Sequence, residues 1–264
     1  MDRASGPAAA IRRAGSLALI SGLLGTAGLN LAGCTSSSSS PGAGSSPGTA
    51  TASASPGLSV PGTHQATSRY QITTPVSTVV IVSHVGNVTV NGGDNPAVSV
   101  TQQVYYSKTP PTTTRTVSGN TLTVTYDCPA QLVCGVAYTL AVPRSVAVRV
   151  TAGAGAVRLT GLAGSVIAKA DVGLINATGL TSASVSLTTR VGGISASFTA
   201  APNTVQASAN VGAITVRVPG TASYKITADA RVGKTTISAP QSASSGHAIT
   251  ATTDAGAIVV TTLQ

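Results

Sequence analysis

Past residue 60 the apolar positions recur with a period of two, in short β-branched runs broken by Gly, Asn and Pro, and no stretch carries a helical period. The pattern predicts an all-β chain. Most of these runs end in one signature: a small apolar residue, a glycine, any residue, then usually an apolar one. It occurs around Gly86, Gly155, Gly173, Gly192, Gly212, Gly233 and Gly256, and from Gly155 onward the spacings are 18, 19, 20, 21 and 23. A period near twenty marks a solenoid, in which each repeat covers the apolar face of its neighbour.

Alternation predicts how one repeat is built. Before each corner the inward set reads Val166, Ala168, Ala170, Val172, then Val185, Leu187, Thr189, Val191, then Val205, Ala207, Ala209, Val211, then Tyr224, Ile226, Ala228, Ala230, Val232. After the corner Ile175 and Ala177 point inward, as Ile194, Ala196 and Phe198 do one repeat later. Glycine supplies the backbone freedom that the corner needs. The expected object is a flattened β-solenoid of two stacked sheets over 146–264, with a less regular β cap over 61–145. No comparable cap follows Ile258, so either the last strand is self-sufficient or that end meets a partner, and it is the place where a homodimer contact is looked for.

Stacking places polar residues in columns. Two positions before each corner glycine the outward column reads, in chain order, Asp171, Arg190, Asn210, Arg231, Asp254, and it is expected to form a structural charge ladder. Five positions after the glycine a second column reads Thr160, Thr178, Ser197, Arg217, Ser238, Thr261. Such a hydroxyl row is also what an exposed strand ordinarily carries.

Composition narrows the chemistry. The 264 residues carry a formal net charge of +9, yet only 8% are charged, and six Asp are the only side-chain carboxylates. Paired-carboxylate chemistry is therefore disfavoured, and no enzyme, cofactor or metal site is expected. His64, His84 and His247 are scattered without a second ligand nearby. Few aromatics and no basic run argue against nucleic acid.

The first residues read as an address. Arg3, Arg12 and Arg13 precede an apolar run from Leu17 to Leu31, the layout of an export signal. Leu31-Ala32-Gly33-Cys34 resembles the lipobox of bacterial lipoproteins, and the resemblance implies cleavage after Gly33 and a diacylglyceryl group on Cys34. Residues 1–33 are then signal peptide and 34–60 a tether. Within it, residues 35–57 hold only Ser, Thr, Pro, Gly and Ala, and nothing there buries apolar area. As a flexible coil they span roughly 26 Å. With Cys34 committed to lipid, Cys128 and Cys134 remain as an even pair, and in an exported chain they are expected to form a disulfide. On the loop-entropy model it contributes roughly 2.4 kcal/mol.

The repeat, the Ala141-Val142-Pro143 entry into the first regular strands and the lipidation signal together resemble the bacterial putative-adhesin family, β-strand-repeat domains of unknown function. The resemblance spans roughly residues 76 to 264. It implies surface attachment and supplies no catalytic residues. The reading is a cell-surface lipoprotein on the outer face of the bacterial cytoplasmic membrane, held to lipid through Cys34 and displaying a non-enzymatic interaction module. The chain from Cys34 keeps 12 basic and 5 acidic side chains, a net of +7. That excess favours an anionic wall polymer or a membrane surface as partner, and a surface protein is the other partner considered. The alternatives are a rigid spacer or envelope-stress sensor, and an enzyme acting on polysaccharide, for which Asp171, Asp229 and Asp254 are the available carboxylates.

Overall fold

The computed structural model describes residues 63–263, and the leader, Cys34 and the tether lie outside the described residues. Every regular element among the described residues is a strand. In chain order they are β1 His64–Ile72, β2 Thr78–Val85, β3 Val88–Gly93, β4 Val98–Tyr106, β5 Thr112–Ser118, β6 Thr121–Asp127, β7 Cys134–Pro143, β8 Ala147–Ala154, β9 Val157–Thr160 and β10 Val166–Val172. There follow β11 Ile175–Leu180, β12 Ser184–Val191, β13 Ile194–Phe198, β14 Thr204–Val211, β15 Ile214–Val218, β16 Lys225–Val232, β17 Thr235–Ile237, β18 Ala248–Ala255 and β19 Ile258–Thr262.

These strands make two mixed sheets. One runs β1-β4-β7-β3-β9-β11-β13-β15-β19-β17 and the other β16-β18-β14-β12-β10-β8-β2-β6-β5. From β8 onward the chain alternates between the sheets at every corner, so neighbours within a sheet pair in parallel: Val166 lies beside Val185, Val185 beside Val205 and Val205 beside Ile249. Among the described residues only β1–β4, β4–β7 and β5–β6 are antiparallel. The stretch expected to cap the fold contributes β2, β3, β6 and β7 to the same parallel ladders.

Strand composition explains the core. In β12 Val185, Leu187 and Thr189 are buried while Ser184 and Arg190 are exposed, and in β13 Ile194, Ala196 and Phe198 face inward. Both sheets direct such residues into one shared apolar cluster. Each fully buried Val, Leu, Ile or Phe contributes about 1.5–3 kcal/mol. The buried threonines are satisfied at the corners: Thr189 Oγ1 donates to the Gly173 carbonyl at 3.3 Å, and Thr253 Oγ1 to that of Gly212 at 3.1 Å.

The corners demand glycine for two reasons, best seen at Gly192. Its φ is +141°, and a Cβ there would overlap the carbonyl oxygen of Gly173 in the adjacent repeat. The same close approach joins Gly86, Gly155, Gly173, Gly192, Gly212, Gly256 and Gly233 into one stacked column, in that spatial order. A side chain anywhere in this column must push neighbouring repeats apart.

Three expectations are corrected. The residues just before the corners, Val172, Val191, Val211 and Val232, are at least half exposed rather than inward. The backbone swings out of the core one residue before the positive-φ glycine, and the interior place passes to the residue after the corner, such as Ile175 or Ile194. Spatial order also departs from chain order, because β18 and β19 insert between β14–β15 and β16–β17. The link from β15 to β16 therefore skips one level, and fully buried Tyr224 lies on it, its hydroxyl donating to the Pro219 carbonyl at 2.9 Å. Consequently the last strand in sequence is interior, and the stack ends at β16 and β17. There Ile226, Ala228 and Ala230 are only half-buried for want of a covering strand.

Candidate functional site

The outward charge column sits on the β10-β12-β14-β18-β16 sheet. Strand registers place Arg190 between Asp171 and Asn210, and Asp254 between Asn210 and Arg231. The spatial sequence is thus Asp171, Arg190, Asn210, Asp254, Arg231, with the last two exchanged relative to chain order. Arg190 Nε meets Asp171 Oδ1 at 3.2 Å and Arg231 Nη2 meets Asp254 Oδ1 at 3.4 Å, every partner being more than half exposed. Exposed pairs of this kind contribute roughly 0–1 kcal/mol.

The hydroxyl column lies on the other sheet. Thr160 and Thr178 are register neighbours with hydroxyls 3.5 Å apart, Ser238 Oγ donates to Thr261 Oγ1 at 2.9 Å, and Arg217 stands between Ser197 and Thr261. The row is therefore interrupted by a cation and partly bonded to itself. Cys128 and Cys134 are joined by a disulfide. Within its loop Gln131 Oε1 accepts from the Lys108 and Thr109 amides, which fastens the neighbouring loop, and Leu132 is 99% exposed at the tip. Among the described residues no three His, Cys, Asp or Glu side chains gather as a metal site would require.

Where the sheets end at β1, β4 and β5, they part around an open cleft of about 470 Å³ lined by Ser68, Arg69, Tyr70, Gln102, Thr113 and Arg115. Registers fix which side chains enter it. Tyr70 pairs with buried Val100, Ser68 with Gln102, Thr113 with buried Tyr126 and Arg115 with buried Val124, so all of these face the space between the sheets. Arg69 falls on the opposite face of β1 and borders the rim. Arg115 lies over the Tyr70 ring, with Cζ 4.4 Å from the centroid, and Gln102 Nε2 donates to Thr113 Oγ1 at 3.1 Å, tying β4 to β5.

The electrostatics of this cleft are cationic. No carboxylate pairs with Arg115 or Arg69 among the described residues. Burial pushes the Tyr70 phenol above its ordinary range and Arg115 draws it partly back, so at neutral pH it is an uncharged donor. Contact with the ring holds the guanidinium over its face, and its N–H groups can meet a planar or tetrahedral anion. Hydroxyls and an amide beside one oriented arginine suit a polyol or sugar that bears carboxylate or phosphate.

Sequence reasoning missed this cleft. Arg69-Tyr70 and Arg115 lie in unremarkable strands far apart in the chain, and only the antiparallel ends of the two sheets bring them together. The one available signal was the excess of basic side chains, which carries no position.

The fold defines an all-β protein of two mixed sheets built from parallel stacked strands. Neither the family models nor the curated proteins compared with the chain match it. Among solved structures it is similar to a putative cell adhesion protein from Clostridium sporogenes, with 14% identity over 76% of this chain and 100% of that one and a TM-score of 0.46. A putative adhesin from Bacteroides fragilis has 15% identity, coverage of 76% and 97%, and a TM-score of 0.46. A putative adhesin from Parabacteroides distasonis has 12% identity, coverage of 75% and 97%, and a TM-score of 0.31.

Proposed function

We propose that the chain is an exported, lipid-anchored surface module, a flattened β-solenoid that binds an anionic wall polymer in the Arg115–Tyr70 cleft and catalyses no reaction. The observation that carries this reading is an arginine with no carboxylate partner among the described residues, held over an aromatic ring in an open polar cleft. Alternation of the parallel strands between two sheets and the common corner glycines support the solenoid. The lipobox at Cys34 supports display outside the cytoplasmic membrane. Of the three carboxylates considered for catalysis, Asp171 and Asp254 are paired with arginines.

The test is sedimentation of the full chain carrying Cys34→Ser with purified wall polymer, native or with its anionic groups removed. Saturable binding to the native polymer that persists in part at high salt is expected, and its loss on the stripped polymer. Equal binding to both would overturn the reading, as would binding that vanishes entirely with salt.

A further inference from the structure

The spatial order of the outward column has a property that its chain order hides. Over the five levels from β10 to β16 it reads acid, base, neutral, acid, base: Asp171, Arg190, Asn210, Asp254, Arg231. Reversed, every charge meets its opposite and Asn210 meets itself. In chain order, with Arg231 before Asp254, the same reversal would set like charges against each other. The insertion of β18 inside β16 creates the complementarity.

Beside this column runs an exposed apolar ridge. Val172, Val191, Val211 and Val232 are 50%, 50%, 52% and 66% exposed, each adjacent in sequence to a column residue, with Ala255 completing the row. The same reversal sets Val211 on Val211, Val172 on Val232 and Val191 on Ala255.

We infer that this face binds a second copy of the chain across a two-fold axis through Asn210, perpendicular to the direction in which the strands stack. Asp171 of one copy then meets Arg231 of the other, and Arg190 meets Asp254, so each carboxylate is bridged by one arginine of its own chain and one of its partner. A depression of about 180 Å³ lined by Asn210, Asp229, Arg231, Thr252 and Asp254 lies on this face and holds both members of the Arg231–Asp254 pair. A two-fold axis parallel to the stacking direction would keep the order of levels and place like charges together at each, so the pair with reversed order is the favoured arrangement. Five levels at about 4.8 Å give a strip roughly 20–25 Å long. That is narrower than a standard interface of about 800 Å² a side, and the association is correspondingly weak in dilute solution. Confinement of many copies to one membrane raises their effective concentration and favours it.

The test uses the full chain with Cys34→Ser, which leaves an added cysteine as the sole unpaired thiol. Asn210→Cys is expected to crosslink to itself through a short thiol linker, with Thr178→Cys on the opposite sheet as the control. Arg190→Asp should lower the yield about tenfold, and adding Asp254→Arg should restore it, because the exchanged charges again oppose across the axis. A yield at Asn210→Cys no greater than the control would overturn the inference. So would a yield that Arg190→Asp leaves unchanged, or a double variant that fails to recover it.

Discussion

Gly192→Ala should destabilise the protein by about 3 kcal/mol or more, because the new Cβ suffers both the positive φ and a collision with the backbone of the adjacent repeat. The clash is with a carbonyl oxygen of Gly173, which cannot rotate away as a side chain would. For a domain of this size that corresponds to a fall of roughly 6–12 °C in the thermal midpoint. Gly179→Ala is the matched control. Gly179 also has positive φ, +62°, but an added Cβ there meets nothing within 4 Å, so only the conformational cost of about 1 kcal/mol applies. Thermal unfolding followed by circular dichroism separates the two. Equal losses would mean that the glycine column is a set of independent turns rather than a line of close contact between repeats.

The second large effect concerns the proposed binding of an anionic polymer. Arg115→Gln should weaken affinity for the anionic polymer about 10- to 100-fold, since charge-assisted hydrogen bonds contribute about 1.5–3 kcal/mol and the guanidinium faces into the cleft. Arg69→Gln should change it by no more than about threefold, because its side chain lies on the outer face of β1 and acts only through the general field. Titration calorimetry with a short fragment of the polymer measures both. Equal effects of the two substitutions would reduce the interaction to net charge and remove the special standing of the cleft.

The parts of this molecule legible from sequence are those that depend on neighbours along the chain. Val185, Leu187 and Thr189 alternate with polar residues, so their burial follows from strand geometry. The corner glycines recur at a spacing that only a repeating turn explains. Asp171 meets Arg190, and Arg231 meets Asp254, because one repeat separates the members of each pair in the chain.

What depends on the order of repeats in space was not legible. β16 and β18 carry the same alternation and the same corner, and nothing in either says which packs against β14. The choice rests on two connections: the one through Pro219 and buried Tyr224 that skips a level, and the one through residues 238–247 that returns beneath it. Val172 and its equivalents were misplaced for a local reason. Alternation describes a straight strand, and these residues sit where the backbone has already begun to turn. The cleft was invisible because Tyr70 and Arg115 come from strands in different sheets that no spacing relates.

The most direct test of the account is to locate the bound polymer on the protein. Chemical-shift mapping of the full Cys34→Ser chain, titrated with a soluble fragment of the anionic polymer, should perturb Ser68, Tyr70, Gln102, Thr113 and Arg115 together and saturably, with the β16 and β17 end unaffected. Perturbation centred on the charge column or the hydroxyl column instead, or spread without saturation over the basic surface, would contradict the assignment of this cleft as the binding site.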